Sequence, residues 1–297
     1  MHQEIRLDFR ARPSTLAFMA RAMRPSPGLK RGGVPAIAAR WRHRPDATGL
    51  ARFLVLSGLP ESRDLPLLYP HTIGFPLLMA VLTQPAFPLP IWRMLQIRNC
   101  ILQHAPLPRD AAHDFAVRIA GYRVLEKGME FDLHTTVQGG DAVLWESLNT
   151  FYARGRFGAP TAGAVVPEAP KVGSGDTTGW RMPAGGGWGY GSLSGDYNPL
   201  HLWGGYARKH GFARAFFHPP RVLGECLAKL PQAASGLPLR LDAWLKGPVF
   251  YAAPVKMHIE AEAGGARFAL HVSEDERPAI VGRLRGVTPG SRLTETF

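Results

Sequence analysis

Residues 129–137 read Met129-Glu130-Phe131-Asp132-Leu133-His134-Thr135-Thr136-Val137. Met129, Phe131, Leu133, Thr135 and Val137 alternate with Glu130, Asp132, His134 and Thr136, the period-two pattern of a strand with one apolar face. The pattern extends outward on both sides. Upstream, Phe115, Val117 and Ile119 alternate with polar or small partners. Downstream, a third run over 142–152 follows Gly139-Gly140. Residues 114–152 therefore predict an antiparallel meander with one wet face. A second cluster of the same kind lies at 237–287. There Leu239, Leu241, Ala243 and Leu245 alternate with Arg240, Asp242, Trp244 and Lys246, and Val255, Met257 and Ile259 with Lys256, His258 and Glu260. Phe268, Leu270 and Val272 follow a turn at Gly264-Gly265, and 279–285 completes the set.

Helical signals precede each cluster. Residues 72–83 are apolar nearly all round, so a helix there must be buried. In the second half, 201–210 and 219–230 read as helices, the latter with Cys226, Leu227 and Leu230 on one face. A sheet curling around one apolar helix, twice over, satisfies both patterns. The expected fold is α+β, with two such units joined into one continuous sheet. The expected boundaries are a basic N-terminal arm at 1–44, a first half at 45–154, a linker rich in Gly, Pro, Ala and Thr at 155–180, and a second half at 181–297.

The 297 residues suffice for one large or two ordinary domains, and a hydrophobic content of 45% is that of a globular chain. No run of about 18 uncharged apolar residues exists, so no membrane span is expected. Cys100 and Cys226 match no metal or redox spacing, which points to a reduced, cytoplasmic protein. The net charge of +12 sits mostly in residues 1–44, which carry ten Lys/Arg and two acids. That stretch shows no nucleic-acid motif. It reads as a solvated arm or as an attractor for an acidic carrier protein or coenzyme phosphates. A transit peptide would share its Arg-rich bias, but that bias runs through the whole chain.

Chemistry concentrates at 190–206, Tyr-Gly-Ser-Leu-Ser-Gly-Asp-Tyr-Asn-Pro-Leu-His-Leu-Trp-Gly-Gly-Tyr. Asp196 and His201 are separated by an Asn-Pro turn, with Asp196 in a loop and His201 on the first turn of a helix. Placed this way, they can hold one water between them and add it to, or remove it from, a polarised double bond. The first half has no acid–x4–His spacing. It is expected to complete the sheet and to contribute no catalytic side chain.

Leu193 to His201, followed by Ala207, Gly211-Phe212 and His218, resembles the signature of the R-specific enoyl-thioester hydratases, the MaoC-like group of hot-dog-fold proteins. The match over 190–230 is specific; elsewhere the likeness is one of layout, a degenerate first hot dog followed by a competent second. Tyr69-Pro-His-Thr-Ile-Gly-Phe-Pro-Leu77 also looks like the first-half helix of bacterial two-hot-dog dehydratases. The resemblance implies a double hot-dog hydro-lyase of fatty acid metabolism. Such an enzyme adds water to trans-2-enoyl thioesters, or removes it from R-3-hydroxyacyl thioesters, carried on coenzyme A or acyl carrier protein. It implies no cofactor and allows a homodimer. It makes Asp196 and His201 the catalytic pair and Asn198 the residue that orients them.

One departure matters. Where the family has a glycine whose backbone N–H points at the thioester oxygen, this chain has Pro219, followed by Pro220. Proline has no N–H, though both are comfortable in a first helical turn. Loss of one oxyanion donor costs about 10²–10³ in rate. Three readings follow: Arg221 replaces the donor, the backbone shifts so that another N–H serves, or the protein binds acyl thioesters with little catalysis. A hot-dog thioesterase is the nearest enzymatic rival. The run Gly185–Gly191 fits no dinucleotide fingerprint and predicts a turn feeding the active-site loop. No nucleophile elbow is present, since its centre would be Leu193. Asp196, His201 and His210 form no tight metal set, and no metal is expected. His210 and His218 read as surface or hydrogen-bonded helix-end residues. Trp203, Tyr206 and Phe212 read as core or tunnel wall.

Overall fold

The computed structural model describes residues 4–29, 33–173, 175–231 and 236–293. Its framework is one 11-stranded sheet. The first half supplies β1 (Ile5–Phe9), α1 (Thr15–Ala22), β2 (Ile37–His43), α2 (Ala47–Ser57) and α3 (Tyr69–Leu82). It continues with β3 (Met94–Gln103), β4 (His113–Leu125), β5 (Gly128–Gly139) and β6 (Ala142–Arg154). The second half supplies β7 (Asp176–Arg181), α4 (Gly187–Ser194), α5 (Pro199–Leu202), α6 (Gly204–Lys209) and α7 (Pro219–Leu227). It ends with β8 (Leu239–Leu245), β9 (Pro254–Glu262), β10 (Gly265–Val272) and β11 (Ile280–Gly286).

The strand order is β1-β2-β4-β5-β6-β3-β8-β11-β10-β9-β7. Outward from the β3–β8 seam, the first half runs β3-β6-β5-β4-β2 and the second β8-β11-β10-β9-β7, so the two halves repeat one plan. In that plan α3 lies between β2 and β3 as α7 lies between β7 and β8. This is the α+β double hot-dog expected from the alternating runs. All neighbouring strands are antiparallel except β1 and β2. α3 is buried on all sides, with Tyr69, Leu77, Leu78 and Val81 in the core.

Residues 1–44 are not a solvated arm. β1 and β2 extend the sheet, and Phe18, Ile37, Ala39 and Trp41 are core residues. Arg40 and Arg42 occupy the outward positions that alternate with Ala39 and Trp41, so the charge count hid a strand pattern. Met1 to Gln3 and Lys30 to Gly32 of that stretch lie outside the described residues. The expected wet face of β5 is also corrected. Glu130 and Asp132 are buried, Glu130 pairing with Arg98 and Arg123, and Asp132 with Arg123 and Thr150.

The linker is packed as well. From the end of β6 it crosses the outside of the sheet. Thr161 Oγ1 accepts from the Val124 N–H, the Pro167 carbonyl from Trp244 Nε1, and the Lys171 carbonyl from Arg267. Its last residues enter β7, which pairs with β9. No helix among the described residues is long and apolar enough to cross a membrane, and Cys100 and Cys226 are buried free thiols.

Candidate active site

The site is built on a chain of turns that the sequence specifies residue by residue. Residues 187–194, expected as part of a turn, form α4. The glycines there allow close approach rather than flexibility. A Cβ on Gly187 would collide with the Tyr251 hydroxyl and the His201 carbonyl, and one on Gly191 would lie 2.9 Å from the Asp196 carbonyl. α4 ends at Gly195, which takes the left-handed φ of 86° that closes many helices. Asp196 then folds into a turn in which its Oδ1 accepts the Asn198 N–H at 3.1 Å. Asn198 caps α5 by accepting the Leu200 N–H, also at 3.1 Å. Pro199 opens α5 and His201 follows on its only turn. The expected helix at 201–210 breaks at Trp203 into α5 and α6.

Asp196, His201 and His218 meet, with their donor atoms within 4.8 Å of one another. His201 Nδ1–H donates to the Phe216 carbonyl at 3.0 Å, leaving Nε2 as a lone pair. His218 Nε2–H donates to the Asp196 carbonyl at 2.9 Å, leaving Nδ1 buried and unpartnered. The two rings lie 4.0 Å apart, tilted by 36°. Burial raises the Asp196 carboxyl pKa, opposed by His201 and the Asn198 N–H. Burial lowers His201, opposed by Asp196 and the bond to Phe216. His218 is held well below the usual histidine range by burial and by His201 and Arg221 beside it. Two neutral imidazoles and a carboxyl therefore face one small volume. By residue type these three could ligate a divalent cation.

Of the two readings given for His218, surface or hydrogen-bonded helix end, the second holds: it is fully buried at the head of α7 and donates to the Asp196 carbonyl. Tyr190 stacks on it at 4.9 Å and bonds through its hydroxyl to Thr72 of α3 at 3.0 Å. His210 is exposed and bonds Tyr206. Trp203 is 56% exposed, Tyr206 is half-buried, and Phe212 lines the cavity.

Asp196 and His201 open onto a cavity of about 310 Å³. Phe75, Met79, Met94 and Phe151 form its first-half wall, and Asn198, Phe212, Phe216, Pro219 and Pro220 line the opposite part. Thr15 and Met19 of α1 also reach it, so the basic N-terminal stretch helps wall the site. His71 lies in the same wall. Sequence reasoning missed it because the helix was read as starting at 72. The available signal was a polar residue inside a helix that is otherwise apolar all round.

Arg221, which one of the three readings makes the replacement donor, lies outside the cavity wall. Its N–H donates to the His218 carbonyl at 3.1 Å. Its guanidinium donates to the Leu56 carbonyl at 3.3 Å, pairs with Glu225 at 3.4 Å and packs over Phe217. The helical turn consumes the backbone donor, and α2 and α7 hold the side chain between them. Arg221 is outside the cavity wall, whereas Pro219 and Pro220 are in it.

No protein-family model matches the chain. The 3-hydroxyacyl-thioester dehydratase X of Mycobacterium tuberculosis is 25% identical over 246 residues, 82% of this chain and 86% of that protein. The crystal structure of the same protein superposes with a TM-score of 0.71 at 23% identity, covering 85% of this chain and all of that one. A MaoC-like dehydratase from Phytophthora capsici gives a TM-score of 0.70 at 16% identity, over 86% of this chain and 96% of its own. A double-hot-dog protein of M. tuberculosis gives 0.54 at 12% identity, over 82% and 92%.

Proposed function

We propose that this chain, a homologue of 3-hydroxyacyl-thioester dehydratase X with the double hot-dog fold of MaoC-like dehydratases, is a hydro-lyase that interconverts trans-2-enoyl and R-3-hydroxyacyl thioesters. The observation that carries the reading is the meeting of Asp196 and His201 at the wall of a largely apolar cavity, with His201 Nε2 left free by the bond from Nδ1 to Phe216. The pair holds one proton between its two members, so a water there meets an acceptor on one side and a proton donor on the other. One group takes a proton as the water oxygen attacks C3, and the other delivers a proton to C2. In the reverse direction the same groups exchange tasks. Asn198 fixes the pair by joining the Asp196 turn to α5.

The apolar wall offered by Phe75, Met79, Met94 and Phe151 suits an acyl chain and supports a chain-binding task for the first half. Coenzyme A and acyl carrier protein present the same thioester, and the reading covers both. Loss of the enone absorbance of enoyl-CoA substrates of graded length, with chiral analysis of the product, tests the proposal. An S product would remove the assignment even if water were added. Absence of hydration across the series, with the thioester still bound, would favour a non-catalytic binding protein. Release of free thiol would favour a thioesterase.

A further inference from the structure

His71 is a buried polar group that the Asp196–His201 chemistry leaves without a task. It is the third residue of α3, 3% exposed, and its Nδ1 has no hydrogen-bond partner. An apolar side chain would pack there without leaving a buried donor or acceptor unmade, so an imidazole at this position calls for a ligand. His71 lines the cavity that also holds Asp196, His201, Pro219 and Pro220. Burial pushes its pKa down to about 4. Near pH 7 it is therefore neutral and carries one N–H donor.

The same cavity lacks the backbone donor that the resemblance places at residue 219. Hydration of an enoyl thioester builds negative charge on the thioester oxygen, and that charge needs a preorganised N–H. α7 opens on two prolines that have none. The Arg221 N–H donates to the His218 carbonyl, and its guanidinium, whose Nη1 is buried without a partner, lies outside the cavity wall. Two other cavity-lining donors are also occupied. Trp92 Nε1 donates to the Ala22 carbonyl at 3.0 Å, and Gln96 Nε2 donates to Asn149 at 2.8 Å.

We propose that the neutral imidazole of His71, supplied by the first half, donates its N–H to the thioester oxygen in place of the backbone donor that Pro219 removes. The proposal rests on the hydratase reading. In the forward direction the water oxygen bonds to C3 as the C2=C3 electron pair moves toward the thioester oxygen. The His71 N–H stabilises that oxygen and keeps its proton. The carbonyl re-forms as C2 takes a proton from the acid of the pair, and the proton lost by water goes to the base.

Four variants test this: His71→Leu, which removes the donor but keeps an apolar body; His71→Gln, which keeps an N–H; Pro219→Gly, which restores the backbone N–H; and the combination of His71→Leu with Pro219→Gly. Turnover of a trans-2-enoyl-CoA is read together with the absorbance band of a bound 2,4-dienoyl-CoA, which moves to longer wavelength when its carbonyl is polarised. Circular dichroism checks that each variant is folded. His71→Leu is expected to lower kcat by about 10²–10³, the scale of one oxyanion donor, with KM changed far less. It should also abolish the band shift. His71→Gln should recover part of both. Pro219→Gly should raise turnover about tenfold or more in the His71→Leu background. A folded His71→Leu protein with normal turnover and a normal band shift overturns the proposal. So does a loss that neither glutamine nor Pro219→Gly relieves, since that pattern marks a packing role. Failure of the wild-type protein to hydrate any enoyl-CoA would instead sink the function reading and this proposal with it. Normal wild-type hydration beside an unaffected His71→Leu sinks this proposal alone.

Discussion

Replacing His71 with leucine should flatten the acid side of the stability curve. In the folded protein His71 is buried and its pKa is pushed from 6.5 to about 4 by loss of solvent. Between those values the unfolded chain binds more protons than the folded one, so stability rises with pH. The contribution is fully present above about pH 6.5 and is lost as pH falls through about 4. At about 1.4 kcal/mol per unit, a depression of this size corresponds to about 3 kcal/mol. His201 and His218, also lowered by burial, pull wild type and variant the same way and cancel in the difference. The seven tryptophans supply the signal for urea unfolding at pH 7, 5.5 and 4. From pH 7 to pH 4 wild type should lose about 3 kcal/mol more than His71→Leu, at unchanged m. Acid limbs that run parallel within about 1 kcal/mol would show that His71 is not held neutral, and would refute the argument.

Asp196→Asn and His201→Ala should each cut hydration by about 10²-fold or more while the urea midpoint stays close to wild type; residual turnover above about a tenth of wild type would remove the pair from the mechanism. Arg221→Ala should act on stability rather than chemistry. It breaks a buried contact with Glu225, the Leu56 carbonyl and the Phe217 ring, so unfolding free energy should fall by about 3 kcal/mol, with kcat of the folded fraction changed by less than about tenfold. Gly187→Ala should lower both activity and stability, because its Cβ meets the His201 carbonyl and the Tyr251 hydroxyl that bonds it; a fully active, fully stable Gly187→Ala protein would contradict the tight packing of α4 on the site.

The sequence made some elements plain because a single periodicity governed them. β9 buries one row of alternating apolar residues, and α3 is apolar on every side, so pattern and environment agree. β2 and β3 were hidden for different reasons. In β2, Arg40 and Arg42 inflate the charge and Ala38 and Ala39 weaken the alternation. In β3, Arg98, Asn99 and Gln103 are buried at the seam, where neither face is solvent: Arg98 pairs with Glu130, Gln103 donates to the Ala105 carbonyl, and the Asn99 amide is left without a partner. The Asp196–His201 pair was legible because its spacing is local. His218 and His71 were not, because their place in the site is set by tertiary packing: one by a bond to the Asp196 carbonyl, the other by α3 lying along the cavity.

The seam between β3 and β8, where Arg98 to Gln103 pair with Trp244 to Leu239, also bears on what either half could do alone. Cut between β6 and β7, each fragment would expose a central strand with its N–H and C=O groups unpaired, and an open edge of that kind recruits another chain. Since β8 meets β3 antiparallel, a second copy of residues 176–293 could offer its own β8 in the same orientation, giving a two-fold assembly with two Asp196–His201 pairs. The covalent join prevents that. It commits each seam to one half that carries the Asp196–His201 pair and one half whose helix α3 shapes the cavity beside it.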